Sequence, residues 1–143
     1  MSEHVPAVLV KLVRRRADDH CEYCFLPQLS QEAAFHVDHI QPRCDDGPTT
    51  AENLALACVT CSLKKAARTQ ARDPVSKARV PLFHPRIDCW PDHFRWSRGC
   101  RLVGRTATGR ATIAALGMNR PAVITIRKAL VKLGLASLDP EEE

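Results

Sequence analysis

The sequence predicts an α+β fold of short strands and helices gathered around two thiol pairs. Three observations predict it. Cys21-x-x-Cys24 and Cys58-x-x-Cys61 bracket a short alternating run that ends in Asp38-His39. Helical periodicity runs near both ends of the chain, over residues 5–17 and again beyond residue 109. Turn signals at Pro42, Asp45-Asp46-Gly47 and Pro48 separate two strand candidates. The chain has 143 residues, enough for one ordinary domain and too few for two large ones. Only 5% of it is aromatic, so its core must be largely aliphatic.

The elements run in this order. Residues 5–17 place Val5, Val8, Leu9, Leu12 and Val13 at helical spacing, and Arg14, Arg15 and Arg16 suit a helix C-terminus. Asp18-Asp19-His20 breaks into the first thiol pair. Residues 33–40 alternate through Phe35 and Val37 as a short strand ending at the Asp-His pair. Residues 41–50 are a loop, and Thr49 or Thr50 can cap the next element. Residues 53–58 are a strand or turn into the second thiol pair. Residues 62–72 read as a basic helix stopped by Asp73-Pro74.

Beyond Pro74, residues 80–83 and 101–103 are strand candidates, with Trp90, Phe94 and Trp96 between them as a small aromatic core. Residues 109–116 and 121–133 are helices. Asn119 is a cap, Pro121 lies in the first turn and Gly134 is a stop. Val123, Ile126, Leu130 and Leu133 form one face. The closing Asp139-Pro140-Glu141-Glu142-Glu143 is expected to fray. Residues 1–72 are read as the N-terminal helix and thiol-pinned core. Residues 73–143 are read as a basic extension packed on that core.

Two Cys-x-x-Cys pairs can close a four-sulfur tetrahedral zinc site through Cys21, Cys24, Cys58 and Cys61. The total of seven cysteines is odd, which does not suit a secreted disulfide scaffold. A redox Cys-x-x-Cys would stand alone beside a βαβ unit. Cys44, Cys89 and Cys100 are left over and read as small buried hydrophobes. The apolar stretch 5–13 holds Pro6 and Lys11, is too short to span a bilayer and lacks a secretory cleavage pattern. The expectation is an intracellular, cytoplasmic protein with no membrane partner.

The charge is uneven. The formal net charge is +5, yet residues 62–110 hold twelve Lys or Arg against Asp73, Asp88 and Asp92, leaving the remainder at −4. Clustered excess of this kind is an electrostatic footprint for a phosphate backbone, so DNA is the expected partner. The plain alternative is a solvated surface that only keeps the chain soluble. The residues between the thiol pairs fit phosphodiester chemistry. A carboxylate such as Asp38 suits a hard divalent ion, and a neutral imidazole such as His39 suits removing a proton from water. An Asp-His dipeptide alone is common. Between two thiol knuckles and ahead of a basic segment it carries weight.

Cys21-x-x-Cys24, the run from Phe35 to Ile40 followed by Pro42, then Gly47, Asn53-Leu54 and Cys58-x-x-Cys61-x-x-x-Lys65 resemble the HNH endonuclease family over about residues 18–70. The resemblance implies a ββα-metal (His-Me finger) core with structural zinc. It implies His39 as general base, Asp38 as a ligand of a catalytic Mg²⁺ or Mn²⁺, and Asn53 as the residue that ties the loop and orients the base. Lys65, with Lys64 and Arg68 beside it, would meet the phosphate. Residues 80–120 look like the C-terminal extension of a bacterial subgroup.

One position departs from the pattern. The family usually carries Asn or His directly after the second thiol pair, and this chain has Ser62. A hydroxyl is a shorter, weaker ligand. Either Asp38, Ser62 and water hold the ion, or His36 compensates from the same strand face, or cleavage is lost. The plain reading of His36 is a partly buried histidine beside the zinc site, and His84 and His93 read first as packing. Three functions compete: a metal-dependent DNA endonuclease, a zinc-stabilised DNA-binding module that does not cut, and an interaction protein stapled by zinc. Oligomeric state stays open, with a homodimer one way to cut both strands.

Overall fold

The computed structural model describes residues 4–140, so the expectation for Glu141, Glu142 and Glu143 lies outside the described residues. The chain forms two compact units. One is Met1–Thr69 with His84–Ile87, and the other is Gln70–Phe83 with Asp88–Glu143.

The first unit begins with helix α1, Ala7–Arg16, whose last turn is Arg14, Arg15 and Arg16. These cations complement the exposed carbonyls of a helix C-terminus. Strands β1 (His36–His39) and β2 (Leu54–Ala57) pair antiparallel, with His36 opposite Ala57 and His39 opposite Leu54. Helix α2 (Val59–Lys65) comes directly after β2 and lies against both strands. Every residue of β2 is buried, and Val13, Tyr23, Leu26, Phe35 and Ile40 complete the core with the four paired cysteines. The loop between the strands folds tightly on itself. A Cβ at Gly47 would stand 1.8 Å from the Gln41 carbonyl oxygen, so only glycine fits that approach.

The second unit holds two further hairpins. Strands β3 (Gln70–Arg72) and β4 (Arg79–Pro81) pair across a turn organised by Asp73. The Asp73 carboxylate accepts from the Val75 and Ser76 amides and from the Ser76 hydroxyl, at 3.1, 3.2 and 2.7 Å. It also takes a two-pronged bond from Arg110, both prongs 2.9 Å. A short helix α3 (Trp90–His93) leads into β5 (Phe94–Ser97), which pairs with β6 (Arg101–Gly104). Helices α4 (Ala107–Leu116) and α5 (Pro121–Lys132) close the unit. The Thr106 side chain caps α4 by accepting from the Gly109 amide.

Several expectations needed correction. The basic helix expected over 62–72 starts earlier, at Val59, and ends at Lys65. Its apolar stripe is too thin to continue: Leu63 is 68% exposed, Lys65 turns inward and Ala66 adopts a positive φ of 49°. Residues 70–72 pair with β4 instead. Asn119 caps no helix. Its amide clamps the Leu102 backbone, accepting from N at 2.8 Å and donating to O at 2.7 Å. On α5, Val123 and Leu130 are buried as expected, but Leu133 is exposed and Arg127 takes a place in the buried face. The leftover cysteines are not core residues: Cys44 and Cys89 are exposed and Cys100 is half-buried. All three sit in turns or at a helix cap, where no facing layer covers them. The aromatic cluster does form, centred on buried Phe94 with Trp90 at 4.9 Å and Phe83 at 5.3 Å between ring centres.

Candidate metal centre and active site

Two tight turns build the thiol cluster. Cys21–Cys24 comes after α1, and Cys58–Cys61 enters α2 with Cys58 as its cap. In each turn a backbone amide points at the earlier sulfur: Cys24 N at Cys21 Sγ, 3.5 Å, and Cys61 N at Cys58 Sγ, 3.4 Å. All four sulfurs are buried and lie within 4.8 Å of one another, with Cys24 and Cys58 at 3.7 Å. A tetrahedral ion with Zn–S near 2.3 Å would separate its sulfurs by roughly 3.8 Å. The quartet therefore fits a zinc site.

The electrostatics agree. Burial, then the neighbouring thiols, pushes the Cys21 thiol up. The Cys61 thiol is pushed up chiefly by its neighbours, Cys21 first. Cys58 is pulled down because Cys21, Cys24 and Cys61 all direct hydrogen bonds at it. Four thiolates packed this closely need a cation between them.

Strand β1 carries His36, Asp38 and His39 out of this cluster. Asp38 is paired with Lys65, whose ammonium lies 3.1 Å from Oδ2. The same ammonium donates to the His39 carbonyl at 3.1 Å. Lys65 is 2% exposed, so its charge is directed at the Asp-His backbone and not at solvent; Lys64 and Arg68 are the exposed cations of this region. Burial raises the Asp38 carboxyl above its ordinary range, and Lys65 pulls it back down.

The His39 ring is half-buried, with Nε2 2.9 Å from Thr49 Oγ1. Asn53 organises the loop that brings Thr49 there. Its Oδ1 accepts from Gln41 N at 2.9 Å, and its Nδ2 donates to Gln41 O and Pro48 O at 3.0 and 2.8 Å. Thr49 was legible in the sequence only as a cap candidate. Its contact with His39 closes across a ten-residue loop, which no local pattern encodes.

His36 is exposed, and its Nδ1 lies 2.9 Å from the Ser62 hydroxyl at the start of α2. The two candidate replacement ligands thus touch each other. Among the described residues the cysteine quartet is the one cluster of three or more His, Cys, Asp or Glu donors. A second cation would draw on Asp38, with His36 on the same strand face, Ser62 and water. Oxygen donors of this kind are the type that a hard divalent ion prefers.

A segment outside the expected core joins this unit. Arg86 pairs with Glu22, inside the first thiol turn, and Glu22 also accepts from the Leu56 amide at 2.8 Å. His84 Nδ1 accepts from the amides of Arg86 and Ile87, 3.1 and 3.3 Å, so it shapes the turn that presents Arg86. His93 lies in the second unit, 2.6 Å from the Thr106 hydroxyl.

Residues 21–68 match the family model for HNH endonuclease. This segment resembles an HNH domain and spans about a third of the chain. The HNH segment spans both thiol pairs, β1, β2 and α2, with Asp38, His39, Asn53 and Ser62 between its ends. No curated protein and no solved structure matches the chain.

Proposed function

We propose that this chain is a metal-dependent endonuclease that hydrolyses DNA phosphodiester bonds. The observation that carries the reading is the adjacency of Asp38 and His39 at the end of β1, within the HNH segment and beside a zinc-competent quartet. The quartet would hold a structural Zn²⁺. Asp38, with Ser62 or His36, would hold Mg²⁺ or Mn²⁺, which when bound polarises the phosphate and its leaving oxygen. His39 takes the proton from the attacking water. Thr49 sets the angle of the His39 ring, and Asn53 holds the loop that carries Thr49. Lys65 keeps the Asp38-His39 peptide in place from beneath. Lys64 and Arg68 face the DNA backbone. No helix among the described residues is long and apolar enough to cross a membrane, and a cytoplasmic setting belongs to the same proposal.

The test is plasmid nicking by the zinc-loaded chain across a Mg²⁺ and Mn²⁺ series. His39→Ala should lower the rate by roughly 10²–10⁴ with DNA affinity unchanged. Parent-level cleavage by that variant would remove His39 from the role. A second reading, a DNA-binding module that does not cut, is favoured by Ser62, because its hydroxyl is engaged with His36. Ser62→Asn should raise cleavage at low metal if the enzyme reading holds. No cleavage by parent or Ser62→Asn with either ion gives the binding module.

A further inference from the structure

We propose that the second unit carries a duplex-DNA docking surface of its own, formed by the tip of the β5–β6 hairpin and by helix α5. The choice of DNA rests on the proposed endonuclease function. Between residues 93 and 138 the sequence has nine Lys or Arg and no Asp or Glu. At least four of the nine have internal tasks: Arg110 binds Asp73, Arg127 is buried, Arg105 donates to the Phe94 carbonyl and Arg120 to the Gly117 carbonyl. Arg98, Arg101, Lys128 and Lys132 are exposed, with no carboxylate in the stretch to neutralise them. Such a surface accumulates polyanions.

The geometry joins these cations into one site. Gly99 and Cys100 both have positive φ, 77° and 61°, which closes the hairpin tip between Arg98 and Arg101. Arg127 on α5 reaches that tip: its Nη1 donates to the Cys100 carbonyl at 3.2 Å, and its guanidinium lies 5.0 Å over the Trp96 ring. Asn119 clamps Leu102 on β6. The hairpin tip and α5 are therefore fixed beside each other by buried Arg127 and half-buried Asn119.

Helices α4 and α5 contain 10 and 12 residues, joined by Gly117-Met118-Asn119-Arg120. Gly117 is left-handed, and Met118 and Val123 are fully buried around the turn. Length and turn chemistry are those of a helix-turn-helix. Ala122, Thr125 and Lys128 are exposed on the outer side of α5, a small, a hydroxyl and a cationic side chain. Such a face suits base edges in a major groove, while a basic hairpin alongside suits phosphates.

The experiment uses the full zinc-loaded chain and a short fluorescein-labelled DNA duplex, without added Mg²⁺ or Mn²⁺, read by anisotropy over a salt series. The variant combines Arg98→Ala, Arg101→Ala, Lys128→Ala and Lys132→Ala. It should melt like the parent, bind at least about 10-fold more weakly and flatten the log affinity against log salt slope by roughly 4. If the combined variant melts early, Arg98→Gln and Lys128→Gln singly decide, each expected to flatten the slope by about 1. An unchanged slope, a parent that does not bind the duplex, or tighter binding of duplex RNA through the same residues would overturn the proposal. Nicking assays on the same preparations separate the two readings. A parent that binds through these residues but never nicks removes the endonuclease and leaves the docking surface. A parent that nicks while the variants keep its salt slope does the reverse.

Discussion

Lys65 is the residue whose role the fold changes most. As sequence it is a cation on a basic stretch, and such a residue is ordinarily solvated. In the fold it is buried under the Asp38-His39 step, with a carboxylate and a carbonyl as partners. Removing one partner of a buried ion pair leaves the other charge uncompensated. Lys65→Met should therefore destabilise the first unit by about 3 kcal/mol, the scale for breaking such a pair. Urea unfolding monitored by circular dichroism measures this. A loss under about 0.5 kcal/mol, the range of an ordinary surface substitution, would mean that the ammonium is not anchored by Asp38 and the His39 carbonyl. Ser62 shows the same dependence on surroundings. Its identity was readable at once, but its contact with His36 comes from α2 packing on β1.

Among the elements, hairpin β5–β6 and helix α5 depend on one amide. Asn119 satisfies both backbone groups of Leu102, and its Oδ1 also lies 3.3 Å from Arg127 Nη1. Asn119→Ala leaves a donor and an acceptor of β6 without their partner, and such a loss ranges over about 1–3 kcal/mol. The expected outcome is a lower melting temperature with faster amide exchange at Leu102 than at Leu56. Equal exchange at Leu102 in parent and variant would show that the clamp carries no load. Local capping rules pointed Asn119 at α5, because Asn before a Pro-initiated helix is an ordinary cap. A strand passing beside the turn competed for the same amide and prevailed, with two bonds against one.

For the whole molecule, two tests separate the units. The thiol quartet holds the first unit at both ends of the HNH segment, so zinc removal by a chelator should unfold that unit. Metal analysis should find about one tightly held zinc per chain, and Cys58→Ser should be unstable or insoluble. A metal-free chain that melts like the parent would exclude a structural zinc. The second unit is tied by Asp73 and Arg110. Arg110 above all, helped by Ser76 and Val75, holds the Asp73 carboxyl well below the usual carboxylate range. A depressed carboxyl pKa adds stability that is complete above the unfolded value and is lost as pH falls toward the folded one. The melting difference between parent and Asp73→Asn should thus be constant near neutrality and shrink as pH drops below about 4. A difference that persists unchanged into strong acid would refute the pairing.

The thiol quartet, the position of the Asp-His step, the two short strands of the HNH segment and the closing helices were legible from residue spacing. Each rests on a periodicity or a tight local turn, and local spacing encodes such features directly. The contact of Thr49 with His39, the burial of Lys65, the use of Asn119 by β6 and the joining of Arg86 to Glu22 were decided by the tertiary structure alone. Each joins residues far apart in sequence, or replaces a local partner with a stronger distant one. Such a choice depends on which backbone groups and charges burial leaves unsatisfied, and only the packed chain determines that.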